Sequence, residues 1–174
     1  MVDSGSLSRP DIATDLAPRV IMRATLKDSP GLRVPGLRPF AIGDSPRLGA
    51  LLFAAYLGTI DQEEDTVEQA HVEIDKTIRG DYGTFMPSCS MVVERCGNLW
   101  SAALLTRFHA RPFLAFSFTS PDRKNQGLAR ACIRSAMSRL QAEGESELHL
   151  VVTVANAPAF HLYESLGFEV ERDA

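Results

Sequence analysis

The stretch Phe113-Leu114-Ala115-Phe116-Ser117-Phe118-Thr119-Ser120-Pro121-Asp122-Arg123-Lys124-Asn125-Gln126-Gly127-Leu128-Ala129-Arg130 decides the fold. Its first seven residues are rich in Phe and Leu, as a strand requires. Pro121 then fixes the strand exit, because its ring locks φ. From about Gly127 to Glu143 the period becomes helical, with Ala129, Ile133, Ala136 and Leu140 on one face and Gly144 as a stop. Gly127 lets backbone approach a ligand, and Ala129 keeps the first turn narrow. Free N–H groups at the helix start, at the positive end of its dipole, make an anion site. No acidic residue lies between Arg123 and Gln141, while Arg123, Lys124, Arg130 and Arg134 cluster there. That excess suits a polyanion such as a pyrophosphate. Solvated charges at an ordinary loop-to-helix junction would read the same way. Neither a phosphate loop ending in Gly-Lys-Ser/Thr nor a Gly-x-Gly-x-x-Gly dinucleotide turn is present.

Upstream, Ser90–Glu94 and Leu99–Phe108 join Phe113–Thr119 in a predicted three-stranded antiparallel meander, with turns at Arg95–Asn98 and His109–Pro112. Two helices precede it. One opens near Ser45 with Pro46 in its first turn and the stripe Leu48, Leu51, Leu52, Ala55 and Tyr56. The other follows Glu63-Glu64-Asp65, with a capping box at Thr66 and Gln69 and the stripe Val67, Ala70, Ile74 and Ile78. Pro35, Gly36 and Pro39 keep any strand in Leu32–Ile42 short or at an edge. Downstream, Leu148–Val154 is nearly all apolar, as a strand covered on both faces would be. A last helix, about Pro158–Leu166, and a strand stub, Phe168–Glu171, end the pattern. The result is an α/β domain on a mixed, mostly antiparallel sheet flanked by helices.

The chain of 174 residues is 45% hydrophobic and 23% charged, enough for one core in one domain, residues 19–174. A net charge of -4 argues against a nucleic-acid partner. No apolar run approaches the roughly 18 residues of a membrane span. Residues 1–18, with Asp3, Asp11 and Asp15 and no apolar segment, read as a mobile tail rather than a secretory signal. Cys89, Cys96 and Cys132 cannot all pair and lack metal spacing, so a reducing, cytoplasmic setting is expected. The four histidines form no metal pattern, and no metal is expected. His149 is expected to be a hydrogen-bonded core residue, Cys132 a buried thiol and Trp100 part of the core.

A second segment, Asn156 to Phe168, directly follows the buried strand. Asn156 can satisfy backbone groups freed where that strand ends, and Tyr163 carries a phenol that can donate a proton. Read alone, a Tyr on a short helix is core or surface filler rather than an acid. Together the two segments resemble the GNAT superfamily of N-acetyltransferases. Its first motif has a proline, an arginine or glutamine three residues on, a glycine three further and a glycine or alanine two beyond. Pro121, Lys124, Gly127 and Ala129 answer it. Its second motif is matched throughout by Asn156, Ala159, Tyr163, Gly167 and Phe168. The likeness extends more loosely from about Leu37 to Phe168.

The resemblance implies the acyl-CoA N-acyltransferase fold and acetyl-CoA as co-substrate, without a metal. Backbone N–H groups of Gln126, Gly127, Leu128, Ala129 and Arg130, with Lys124 and Asn125 beside them, would hold the pyrophosphate. The strand ending at Phe118 and Thr119 would pair with the pantetheine arm. Asn156 would contact that arm, and Tyr163 would serve the leaving thiolate as general acid. Lys124 keeps the family's charge there but not the planar fork of an arginine. The family commonly adds a strand after Phe168; Arg19–Leu26, or a partner chain in a homodimer, is expected at that edge.

The loop Gly58–Asp65 commonly borders the acceptor site in this family. Here it holds Asp61, Glu63, Glu64 and Asp65. Glu63 and Asp65 are explained by the helix dipole. Asp61 and Glu64 are the candidate bases for a cationic small-molecule or peptide amine. The loop could equally be a helix cap with a solvated face. The expected activity is acetyl transfer from acetyl-CoA to a primary amine by direct attack; a non-catalytic acyl-CoA-binding module is the alternative.

Overall fold

The computed structural model describes residues 17–27 and 30–171. Among these residues, eight strands form one sheet in the order β2-β4-β5-β6-β7-β1-β8, with β3 pairing β5. The strands are β1 (Arg19–Thr25), β2 (Leu37–Pro39), β3 (Thr84–Phe85), β4 (Met91–Arg95), β5 (Asn98–Phe108), β6 (Arg111–Thr119), β7 (Glu147–Thr153) and β8 (Glu169–Val170). The helices are α1 (Ser45–Tyr56), α2 (Val67–Arg79), α3 (Leu128–Ala142) and α4 (Ala157–Ser165). None of these helices is long and apolar enough to cross a membrane. The meander β4-β5-β6 and both helix pairs lie where the sequence pattern puts them. β2 is the short edge strand that two prolines allow, whereas β3, only two residues long, has no periodicity to announce it. Most of the expected tail, residues 1–16, lies outside the described residues.

β1 runs antiparallel to β7 along its whole length, from Arg19 opposite Thr153 to Thr25 opposite Glu147. It therefore takes the edge at which Arg19–Leu26 was expected, and β8 pairs with β1 rather than with β7. Met22 and Ala24 alternate inward from β1, and Leu26 follows them into the core.

Two cores lie on opposite faces of the sheet. On one, α3 packs Leu128, Cys132, Ile133, Ala136 and Leu140 against Met22, Leu105, Leu114, Leu148 and Leu150. On the other, Leu48, Leu51, Leu52, Ala70 and Ile74 of α1 and α2 pack against Val92, Ala102, Leu104 and Phe118. That second pair of helices covers β4 to β6 and stops there. β6 carries a bulge at Ala115: Leu105 pairs with Leu114, but Leu104 pairs with Phe116. The extra residue puts Phe116 and Phe118 on the same face as Phe113 and turns the end of the strand. β6 and β7 are parallel and pair only at Phe113–His149 and Leu114–Leu150. Beyond Leu114 the two strands part.

Asp44, 1% exposed before α1, is held by both guanidinium nitrogens of Arg38, by the Ala41 N–H and by Arg47. Burial alone would raise its carboxyl, but these donors outweigh it and hold the group below the usual range. Glu94 pairs with the same two arginines and ties β2, α1 and β4 together. Three expectations resolve here. Cys132 is a buried thiol, pushed by desolvation up to about 12. Trp100 is half-buried: it packs at the margin of the α3-side core, and Arg123 at 4.1 Å and Arg95 at 4.9 Å from its ring centre stack on it. His149 is buried against Phe113 but is not hydrogen-bonded: neither ring nitrogen has a hydrogen-bond partner among the described residues, and Glu147 Oε2 stands 3.9 Å from Nε2.

Candidate active site

Where β6 and β7 separate, a cleft of about 610 Å³ opens between them. Around the parting of the strands its walls include Tyr56 at the end of α1, Asp61, Glu63 and Glu64 in the following loop, Ala115 to Ser117 of β6, and Asn156 with Ala159 and Tyr163 of the α4 helix it caps. Past Leu114 the edge of β6 that faces β7 lacks a neighbouring strand, so backbone groups there are open to an extended ligand.

Asn156 caps α4 by accepting from the Ala159 N–H at 3.1 Å, and its Nδ2 donates to Asp61. The acidic loop is thereby fastened to the start of α4. Arg19 of β1 pairs with Glu63 from the other side. Glu64 is 7% exposed; desolvation first, then the charges of Glu63 and Glu73, raise its carboxyl above the usual range. Tyr163 lies against Phe168, and desolvation together with Asp61 pushes its phenol up to about 12. Tyr56, also raised mainly by desolvation, donates a long hydrogen bond of 3.4 Å to the Ser117 carbonyl. The two phenols thus flank Ser117 at the parting of the strands.

At the other end of β6, Thr119 shares a hydroxyl contact of 2.8 Å with Ser101, and Phe118 is buried under α1. Pro121–Arg123 make one tight turn, and Lys124 continues extended. Asn125 and Gly127 then take left-handed backbone at φ 61 and φ 72. These conformations point the following N–H groups outward. The first intrahelical bond of α3 runs from the Ala131 N–H to Gly127, and no side chain caps the helix. The N–H groups of Leu128, Ala129 and Arg130 precede that bond and remain for a ligand. A Cβ on Gly127 would meet no atom within 4 Å, so the approach to them is open. Arg130 leans away, donating to Ser165 of α4 at 2.6 Å. Lys124, Asn125 and Gln126 are exposed around this opening.

The structure therefore brings Asp61, Glu64, Asn156 and Tyr163 into one cleft, with the Lys124–Arg130 turn beyond the end of β6. Sequence reasoning missed Tyr56 and Ser117. Tyr56 sits on the apolar stripe of α1, and its pairing with Ser117 depends on the bulge at Ala115. Among the described residues no group of three or more His, Cys, Asp or Glu could hold a metal ion.

Likeness to known proteins bears on this arrangement. The "[Ribosomal protein bS18]-alanine N-acetyltransferase" of Escherichia coli is 46% identical over 48 residues, 28% of this chain and 32% of that protein. The chain thus matches about a third of the length of that curated relative. A solved protein of the GNAT family from Novosphingobium aromaticivorans superposes with a TM-score of 0.61 at 26% identity, over 89% of this chain and 61% of that one. The PaiA N-acetyltransferase of Thermoplasma acidophilum, solved with coenzyme A, has the same fold: TM-score 0.61, 17% identity, 79% of this chain and 91% of that one. The model of the acetyltransferase (GNAT) family matches residues 55–168, from the end of α1 through Phe168, and the chain belongs to that family.

Proposed function

We propose that the protein transfers an acetyl group from acetyl-CoA to a primary amine in the cleft between β6 and β7. The observation that carries this is the cleft where β6 parts from β7. An unpaired strand edge, a raised phenol and a buried carboxylate line it, and an uncapped helix start follows the end of β6 in the chain. The start of α3 fits a pyrophosphate, with Lys124 and Arg123 nearby. The open edge of β6 fits the amide-bearing arm. The Escherichia coli relative named as an N-acetyltransferase and the coenzyme A in the Thermoplasma structure support the same assignment.

Acetyl-CoA would supply the activated acyl carbon; the chain's residues manage protons and position. An alkyl ammonium, with a pKa near 10.4, must lose a proton before its nitrogen can attack. Glu64 is the better base of the two candidates. Its raised carboxyl narrows the gap to the ammonium, whereas Asp61 is engaged by Asn156. The C–N bond then forms as the C–S bond breaks and its electron pair goes to sulfur. The nitrogen sheds a second proton, which replaces carbon on sulfur with Tyr163 lending its O–H. A phenol at about 12 keeps its proton at neutral pH and is a hydrogen-bond donor before it is an acid. Holding both substrates in one cleft supplies much of the acceleration. The three free thiols, two of them buried, fit a reducing compartment, and the cytoplasm is the location proposed.

Release of free thiol from acetyl-CoA across a panel of amines, amino acids and peptides tests this. Amine-dependent release is expected. Tight acetyl-CoA binding by calorimetry without release on any acceptor would instead make the chain a non-catalytic acyl-CoA binder.

A further inference from the structure

The cleft does not end at the reacting groups. On the α1–α2 side it continues over β7 and β1, where Ile21, Val151 and Phe108 are 43%, 51% and 47% exposed and Phe113 lies between them. Ile21 and Val151 are direct partners in the β1–β7 ladder, so their side chains share this face. α1 and α2 cover β4 to β6 only, which leaves an apolar floor beside a catalytic mouth. Along β6 the floor runs from Ser117 to Phe113, about 13 Å at the rise of an extended strand.

Charge is distributed unevenly around it. The other carboxylates that line the cleft already have internal cations: Lys76 holds Glu73 at 2.6 Å, Arg79 holds Asp81 at 3.2 Å, and Arg19 holds Glu63. Tyr82 also donates to Glu73. At the mouth, Asp61 accepts from the neutral amide of Asn156 and feels Arg19 through space, and neither Asp61 nor Glu64 forms an ion pair with a described cation. Negative charge without a contacting cation is therefore concentrated at Asp61 and Glu64, and the floor of Ile21, Phe108, Phe113 and Val151 beside it is apolar.

Resting on the acetyltransferase assignment, we propose that the acceptor is an amphipathic monoamine: one primary ammonium at Asp61 and Glu64, with an elongated apolar body on Ile21, Phe108, Phe113 and Val151. A polyamine would place its second cation on apolar side chains or beside carboxylates already paired. A peptide N-terminus would bring backbone amides onto a floor whose side chains offer them no hydrogen bonds.

Normal alkylamines test this, because their ammonium groups have closely similar pKa values and only the body changes. With acetyl-CoA saturating, kcat/KM is measured for ethylamine, butylamine, hexylamine and octylamine, and for 2-phenylethylamine, spermidine and an alanine-initiated tripeptide. Removing each methylene from water is worth about fourfold, so kcat/KM rises roughly 10²-fold from butylamine to octylamine. Spermidine and the tripeptide fall below octylamine, and Val151→Lys flattens the series. Turnover that does not increase with chain length, or that is fastest with spermidine or the tripeptide, overturns the acceptor class and leaves the transferase assignment standing. Calorimetry with coenzyme A present gives a readout without turnover. Binding graded with chain length but no thiol release would keep the apolar floor as the amine site and overturn the transferase assignment. Absence of both overturns both. A dimer in sedimentation that Val151→Lys dissociates would assign this face to a second copy and overturn the proposal.

Discussion

Asn156 holds Asp61 with its Nδ2 while its Oδ1 caps α4 through the Ala159 N–H. One carboxamide therefore couples the acidic loop to the helix that carries Tyr163. An acceptor for the N–H and a donor for the carboxylate are both needed, and only an amide offers them in this geometry.

Asn156→Asp separates the two jobs. The new carboxylate can still cap α4, so the loss of about 1 kcal/mol that an uncapped Ala would cause is avoided. It faces Asp61 as a like charge, however, and the loop is pushed off the helix. The melting temperature at neutral pH should fall below wild type, and adding Asp61→Asn, which removes the repulsion, should restore it. A double variant that melts no higher than Asn156→Asp would show that Asp61 does not depend on this contact.

Tyr163→Phe keeps the ring on Phe168 and removes the hydroxyl. Rate with the best amine should fall roughly 10²–10⁴-fold while acetyl-CoA affinity by calorimetry is unchanged. Tyr56→Phe is the comparison, since its hydroxyl reaches the Ser117 carbonyl from the other side. Full activity in Tyr163→Phe would make that residue a packing group.

The contrast between Tyr163 and Tyr56 shows where sequence patterns carry information. Tyr163 stands at a fixed distance from Asn156 and Gly167 on a short helix, so local spacing singles it out. Tyr56 is one more apolar-stripe residue of α1, brought to Ser117 by an added residue in β6, and a bulge has no periodic signature. The meander, the helices and the α3 turn are local and were readable for that reason. The pairing of β1 with β7 joins residues more than a hundred positions apart, and the apolar stretch at Val20–Met22 could announce a strand without fixing its neighbour. Trp100 packs at the margin of the core, as an aromatic residue in a strand suggests; the two arginines that stack on it, across a hairpin and a turn, come from non-local pairing that no pattern announces.

Met22 tests how far the fold depends on β1. Its side chain is fully buried opposite Leu150, so Met22→Ala should cost about 2–5 kcal/mol. Removing residues 1–18 leaves β1 whole, and its melting temperature should match that of the full chain. Removing residues 1–27 strips the partner from β7 and should lower it sharply. Equal melting temperatures for the two truncations would mean that β1 is dispensable.

Gly127 separates strain from ligand contact. Its backbone lies at φ 72, where a β-branched residue is strained by roughly 1–2 kcal/mol, so Gly127→Val should lose stability as well as acetyl-CoA affinity. Asparagine tolerates this region. Gly127→Asn should therefore melt near wild type yet bind acetyl-CoA at least about tenfold more weakly, because its side chain occupies the open approach to the Leu128–Arg130 N–H groups. Affinity within twofold of wild type would move the pyrophosphate elsewhere.

As the proposed base, Glu64 would tie activity and stability to the same proton. Its folded-state carboxyl is raised, first by desolvation and then by Glu63 and Glu73, so the charged form is penalised in the native protein. The contribution of the group to stability is thus fully present below its ordinary value of 4.5 and is lost as pH rises through the folded-state value. Glu64→Gln removes that penalty: its melting temperature should exceed wild type at pH 7, and the advantage should shrink towards pH 4. Activity must run the other way. A base works only when deprotonated, so wild-type kcat/KM should fall as pH drops through the raised value, and Glu64→Gln should lower kcat roughly 10²-fold or more without changing acetyl-CoA affinity. A variant that is more stable at neutral pH and still fully active would make Glu64 a buried charge without a catalytic role, and Asp61 or a water held by it would be the next base to test.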